Sequence, residues 1–296
     1  MSKTITFFGS GPVAAKSLEL LAKNFTIEAV ITKPQPPHHK EVFPVIAVAE
    51  KLGLRILYTA DKQELNSLFE TMPVTSQTGV VIDYGIIIPE AVINYFPLGI
   101  INSHFSLLPR WRGADPISFA ILEGDKETGV SLMSIVPALD EGPLLAQQSL
   151  QIASDATTPL LTDELIILSD QLLASVLPLY MEGKIQAESQ PSSGVSYSRK
   201  LEKSDSQLDF NKPAAVLERE IRAFTGWPRS RTKLGATDVV ITKAHVTEVS
   251  GTPGEIWHEN KTLGVYTSSG TLVIDTLIPS GKKEMPASSF LAGYKL

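Results

Sequence analysis

The chain has 296 residues, 43% of them hydrophobic, no cysteine, and a formal net charge of -6. Such a length predicts about two domains, each with enough apolar residues for its own core, and the lack of cysteine excludes a disulfide scaffold, a thiol nucleophile and a cysteine-based zinc or iron–sulfur site. Charge is uneven: residues 1–210 carry 15 Lys+Arg against 24 Asp+Glu, whereas residues 211–296 carry 11 against 8, so a polyanionic partner would prefer the C-terminal third.

The N-terminal apolar run, Thr4 to Phe8, is too short for a signal-peptide core and predicts a first strand. Gly9-Ser10-Gly11-Pro12-Val13-Ala14 follows it, opens a helix, and fits a dinucleotide-binding fingerprint. The next strand, Ile27 to Thr32, ends in Lys33-Pro34 and lacks the acidic residue that would bind a nicotinamide ribose, so the glycines predict a tight turn. His38-His39 lies in a Pro-rich stretch where adjacent side chains face opposite ways, which predicts a solvated loop and no metal site. Gly79 to Ile82, Leu98 to Asn102 and Val130 to Val136 are further strands, and Val13 to Asn24, Phe43 to Leu52, Gln63 to Thr71, Ala114 to Leu122 and Pro159 to Gly183 are helices. This alternation predicts an α/β fold: a Rossmann-like, mainly parallel sheet with helices on both faces. Asp83, Glu90 and Asp170 break the apolar runs before any reaches the roughly 20 residues that span a bilayer, from which a cytoplasmic protein is expected. Ser189 to Lys203 is polar and Ser-rich and reads as a linker. Beyond it a helix, Ala214 to Phe224, precedes strands at Val239 to Val246, Thr262 to Thr267 and Thr271 to Leu277, a pattern that suits a small β-barrel.

The chemistry concentrates between Ile101 and Gly142. Asn102 and His104 are two apart at a strand end, so their side chains leave the same face. The run from Val130 to Val136 would be a neighbouring strand that delivers Asp140, through the Pro137-Ala138-Leu139 turn, to the same sheet end. An amide donor, an imidazole and a carboxylate together suit acyl transfer to an amine: one holds a developing oxyanion, one moves protons, one orients the imidazole. A lone histidine at a strand end is often only structural, but Asn102 and the Ser106-Leu107-Leu108-Pro109 run beside it favour a functional role.

Asn102-x-His104-x-Ser106-Leu107-Leu108-Pro109-x-x-x-Gly113 with the later Asp140 resembles the signature of the 10-formyltetrahydrofolate-dependent formyltransferases. Tyr84-Gly85-Ile86-Ile87-Ile88-Pro89 and Gly124-Asp125-x-Glu127-Thr128-Gly129-Val130 agree with it. Ile221-Arg222-Ala223-Phe224-x-x-Trp227-Pro228 and Pro279-x-Gly281-Lys282-Lys283-x-Met285 are similar to the C-terminal part of the members that act on aminoacyl-tRNA. The resemblance implies a catalytic domain over 1–188, a linker over 189–204 and an OB-like, tRNA-binding domain over 205–296. It implies formyl transfer from 10-formyltetrahydrofolate to initiator methionyl-tRNA, with no metal and no nicotinamide, through Asn102, His104 and Asp140. Folate would lie against Tyr84, Gly85, Ile86, Ile87, Ile88 and Pro89, against Ser106, Leu107, Leu108 and Pro109, and against Pro137, Ala138 and Leu139. The tRNA would meet Lys33, Lys40, Arg222, Lys282 and Lys283.

Three departures stand out. Gly11-Pro12 replaces the family's Gly-Thr-Pro, Asp83 replaces the usual alanine before Tyr84, and Lys33 to Val42 is shorter and less basic than the tRNA-facing loop common in the family. Two alternatives share the catalytic residues: formylation of an amino sugar on a nucleotide, and a catalytically idle folate- or tRNA-binding protein.

Overall fold

The computed structural model describes residues 3–35, 41–71 and 74–296. Lys40, His38 and His39 lie outside them. In chain order the elements are β1 (Thr4–Phe8), α1 (Pro12–Asn24), β2 (Thr26–Thr32), α2 (Pro44–Lys51), β3 (Ile56–Tyr58), α3 (Lys62–Thr71), β4 (Gly79–Val81), α4 (Glu90–Tyr95), β5 (Ile100–His104) and β6 (Arg112–Gly113). Then come α5 (Pro116–Glu123), β7 (Glu127–Ser134), β8 (Leu144–Gln151), α6 (Thr158–Met181) and β9 (Tyr197–Ser198). The C-terminal part contains α7 (Ala214–Ala223), β10 (Ser230–Leu234), β11 (Thr237–Thr247), β12 (Ile256–Glu259), β13 (Thr262–Tyr266), β14 (Thr271–Pro279), β15 (Met285–Pro286) and α8 (Ala287–Gly293).

Two compact units emerge. The first comprises residues 1–113, 128–150 and 162–197; the second comprises 114–127, 151–161 and 198–296. The first is built on a seven-stranded sheet of order β3-β2-β1-β4-β5-β7-β8. β1 pairs in parallel with β2 and β4, β2 with β3, and β4 with β5. The strand order reverses at β1, which leaves a crevice at the C-terminal ends of β1 and β4. Strands with helices on both faces are buried on both sides, as the runs of buried Ile, Val and Phe in β1, β2 and β4 require. Under this sheet an aromatic cluster packs edge to face: Phe8 meets Tyr84 at 5.7 Å and Phe96 at 6.0 Å between ring centroids.

The glycine turn after β1 is closed by the chain itself. Ser10 N and Gly11 N donate to Asp83 O, and a Cβ on Gly11 would lie 1.9 Å from Asp83 Oδ2. A carboxylate therefore occupies the crevice mouth where a dinucleotide phosphate would need room. The two departures at Gly11 and Asp83 are one structural fact, since the aspartate fills the space that a larger residue at 11 would take.

Glu28 of β2 fastens the segment leading into β4. Its carboxylate accepts from Thr75 N and Ser76 N, both at 2.6 Å, and from Thr75 Oγ1 at 3.1 Å. Partial burial pushes its pKa up, and the hydrogen bonds from Thr75 and Ser76 overcome that to leave it below the ordinary glutamate value. A depressed pKa gives stability that is present above the unfolded-state pKa and fades as pH falls through the native one. Glu28→Gln is expected to lower stability by about 1–3 kcal/mol at neutral pH, the range for hydrogen bonds to a charged group. In denaturant titrations the deficit should vanish in acid; a deficit unchanged from pH 7 to pH 3 would show that ionisation is irrelevant.

The second unit carries an antiparallel sheet of order β10-β11-β14-β13-β12, with β15 on β14. Register shifts on either side of Lys243 place irregularities in β11, which bend a strand and raise its twist. Leu217 and Ile221 of α7 and Phe290 of α8 complete its core with Leu263, Leu272 and Leu277. Among the described residues β10 and β12 pair with no common neighbour, so the expected barrel is an antiparallel sheet whose ends are not joined by a ladder. The helix α7 is held within this unit by Arg219 Nε to Leu122 O (2.8 Å) and Thr158 Oγ1 to Ala223 O (2.7 Å).

Candidate active site

β5 presents the amide and the imidazole. Ser103 Oγ bonds Ser169 Oγ of α6 at 2.7 Å, so strand alternation sends Asn102 and His104 to the opposite face. His104 is 7% exposed. Its Nε2 lies 2.8 Å from Trp111 O; a carbonyl only accepts, so Nε2 carries a proton and Nδ1 is the nitrogen that faces Asp140. Asp140 Oδ2 is 3.8 Å from that Nδ1 and accepts a 2.7 Å hydrogen bond from Gly113 N. The carboxylate thus stands at ion-pair distance from the ring nitrogen that Trp111 leaves free.

The carboxylate arrives by a route the sequence does not suggest. β7 runs antiparallel to β5, with Ser134 opposite Ile101 and Ser131 opposite His104. Its end therefore lies away from His104, and the connection to β8 folds back along the sheet to bring Asp140 home. Asp140 takes a left-handed conformation, φ 53°, and Gly142 passes so close to β7 that a Cβ on it would lie 1.7 Å from Ser134 O.

The residues expected to meet folate divide into three groups. In Tyr84–Pro89 the side chains of Tyr84, Ile88 and Pro89 turn inward, whereas Gly85 and Ile87 are exposed, the latter at 69%. The Tyr84 hydroxyl bonds Thr59 Oγ1 at 2.5 Å, and burial pushes its pKa up to about 12, so this phenol is neutral and packed in the core. Ser106–Pro109 is fastened to its surroundings: Ser106 Oγ donates to Arg110 O, Ser131 Oγ donates to Ser106 O, Leu108 N donates to Ser131 Oγ, and Gln147 Nε2 donates to Leu108 O. These bonds fix the segment against β7. Pro137, Ala138 and Leu139 are exposed next to Asp140.

The expected tRNA contacts also divide. Arg222 has partners inside its own unit: its Nε and Nη2 bind Glu218 at 2.6 and 3.0 Å, and Nη1 binds Ala156 O at 3.0 Å. Its charge is neutralised within the unit. Lys33 Nζ donates to Gly85 O at 2.9 Å, which makes it a prop for the Tyr84–Pro89 loop. Lys282 and Lys283 are exposed after β14.

Sequence reasoning missed three features: the Trp111 carbonyl, Arg112 and Gln190. Arg112 is 8% exposed, pairs with Glu141 at 3.2 Å, and bonds Gln190. No local signal marks a glutamine in a Ser-rich stretch as half-buried against a site, and backbone carbonyls carry no residue identity at all. Among the described residues no group of three or more His, Asp or Glu is placed to hold a metal ion.

Residues 3–177 match the family model described as formyl transferase, and residues 200–295 match formyl transferase, C-terminal domain. The chain belongs to the formyltransferase family. This formyltransferase is 37% identical to the methionyl-tRNA formyltransferase of Myxococcus xanthus, over 99% of its own length and 95% of the relative's. It is 38% identical to that of Methylococcus capsulatus, over 99% and 97%. Among solved structures it resembles the N-formyltransferase from Helicobacter canadensis in complex with folinic acid and dTDP-3-aminofucose, with a TM-score of 0.70 at 18% identity over 96% of this chain and 100% of that one. HypX from Aquifex aeolicus in complex with tetrahydrofolic acid gives 0.66 at 15%, over 97% of this chain and 46% of the other. Both likenesses concern the fold.

Proposed function

We propose that this formyltransferase moves the formyl group of 10-formyltetrahydrofolate to the amino group of initiator methionyl-tRNA. The observation that carries the reaction is the His104–Asp140 pair on the face it shares with Asn102; full-length identity with methionyl-tRNA formyltransferases supports the acceptor. Folate would lie between the exposed backbone of Gly85–Ile87 and the Pro137–Leu139 turn.

The methionyl amine attacks the formyl carbon, a C–N bond forms, and the carbonyl oxygen becomes an oxyanion. The Asn102 amide donates to that oxygen and the His104 charge stabilises it. With Nε2–H held by Trp111 O, Nδ1 is the nitrogen that faces Asp140 and can take up a proton beside the carboxylate. A proton leaves the attacking amine, one reaches N10, and the C–N10 bond breaks to give formylmethionyl-tRNA and tetrahydrofolate. No step draws on a metal ion, so turnover should persist in strong chelator. Loss on chelation, restored by one metal, would overturn that chemistry.

A chain ended near Lys203 would strip α5 and residues 151–161 of their α7 partner, because all three belong to one unit. Charge reversal tests the acceptor more cleanly. Lys282→Glu with Lys283→Glu is expected to weaken methionyl-tRNA binding and to flatten the log–log salt dependence by roughly 0.7–0.9 for each phosphate that is no longer neutralised, with the KM for folate unchanged. An unaltered slope would remove these lysines from the interface. Formylation of an amino sugar nucleotide with charged tRNA ignored would favour the sugar reading.

A further inference from the structure

Gln190 stands outside every sequence motif, yet its carboxamide is the junction of the two segments that flank Asp140. Nε2 donates to Asp140 O and Gly142 O, both at 2.8 Å, and Oε1 accepts from Arg112 Nε at 3.2 Å and Nη2 at 2.8 Å. Carbonyls only accept and a guanidinium only donates, so the orientation of the amide is fixed by its partners and all its principal hydrogen-bonding positions are used. On one side lies Gly113, adjacent to Arg112, whose N–H binds the Asp140 carboxylate. On the other lies the Asp140 backbone itself, in a left-handed conformation that a non-glycine residue keeps only where its surroundings impose it.

The neighbouring ion pair cannot replace this tie. Glu141 is 47% exposed at its side chain and stands 3.2 Å from Arg112, an interaction that solvent weakens. Gln190 is itself anchored close to where Glu188 pairs with Leu144, N to O in both directions at 2.7 and 2.8 Å, so its reach toward the loop is set by main-chain pairing.

We infer that Gln190 is a positioning residue for formyl transfer: it holds the Asp140 carboxylate in place before His104. The inference rests on the proposed reaction for its kinetic arm and on geometry alone for its structural arm. Kinetically, wild type, Gln190→Ala, Asp140→Asn and the double variant are compared in transfer from 10-formyltetrahydrofolate to methionyl-tRNA. Gln190→Ala should lower kcat by about 10- to 100-fold, since a misplacement near 1 Å costs up to about 10²-fold, with KM for both substrates changed less than about threefold. In the Asp140→Asn background the same change should cost less than about threefold, because the group it positions has gone. Structurally, hydrogen exchange at Leu139–Gly142 should accelerate in Gln190→Ala while Ile100–His104 stays protected. Gln190→Met, which keeps the bulk and loses the polarity, serves if the alanine variant does not fold and should show the same pattern. Losses that multiply across the cycle, a wild-type kcat, or exchange unchanged in the loop would each overturn the inference. A wild-type enzyme that transfers no formyl group would instead overturn the proposed reaction, leaving the exchange measurement to decide the role of Gln190 in placing the loop.

Discussion

Asn102→Ala is expected to lower kcat by about 10²- to 10³-fold, the loss typical of one oxyanion donor, with thermal stability near wild type. The side chain occupies a half-buried place on the face of β5 opposite Ser103, so truncation leaves the core intact. His104→Ala and Asp140→Ala should be at least as severe. Removing the imidazole takes away the charge facing the oxyanion; removing the carboxylate leaves the 7%-exposed imidazole without its counter-charge and Gly113 N without its acceptor. Because the three act on one transition state, combined variants should lose far less than the product of the single losses. Single-turnover rates with saturating folate give the comparison. Near-wild-type turnover by any single variant would take that residue out of the reaction.

Gly142→Ala should be the most damaging change to a residue that touches no substrate. The added Cβ would sit 1.7 Å from Ser134 O, a main-chain atom of β7, where ordinary contact begins near 3.4 Å. Neither partner is a flexible side chain, so the loop must retreat by more than about 1 Å and carry Asp140 with it. A displacement of that size costs about 10²-fold in rate. The measurement is kcat, accompanied by hydrogen exchange over the loop to locate the movement. Unchanged kcat would mean that the connection absorbs the methyl group elsewhere and that Asp140 is held independently of it.

The parallel strands were legible because burial on both faces demands short runs rich in Ile, Val and Phe, which β1, β2 and β4 supply and which Leu98–Ile101 supplies at the start of β5. The helix α6, expected over 159–183, spans Thr158–Met181. β8 was not legible: Leu-Leu-Ala-Gln-Gln-Ser-Leu-Gln is an edge strand with mostly exposed side chains, and its composition matches a loop. β3 at Ile56–Tyr58 and α4 at Glu90–Tyr95 are too short for periodicity to register. The direction of β7 was missed as well, because the 105–126 connection that precedes it, with α5 inside, is long enough for a parallel or an antiparallel return. At the site, Asn102 and His104 were readable from their spacing. The surroundings of Arg222 were not readable, because a cation near a motif looks the same in sequence whether it faces solvent or the Glu218 carboxylate one turn earlier.

The folded-back connection gives the site two mechanical halves. His104 stands on a strand with hydrogen-bonded neighbours on each side, and displacing it means dismantling the sheet. Asp140 hangs from a loop whose outer strand is the sheet edge, where opening breaks only a handful of bonds. The amide and imidazole are therefore registered by the sheet, and the negative charge by a few side-chain and main-chain bonds that meet at Gly113 and Gln190. The accuracy of the carboxylate's placement thus depends on individual residues outside the sheet, whereas that of the imidazole is shared among the strands.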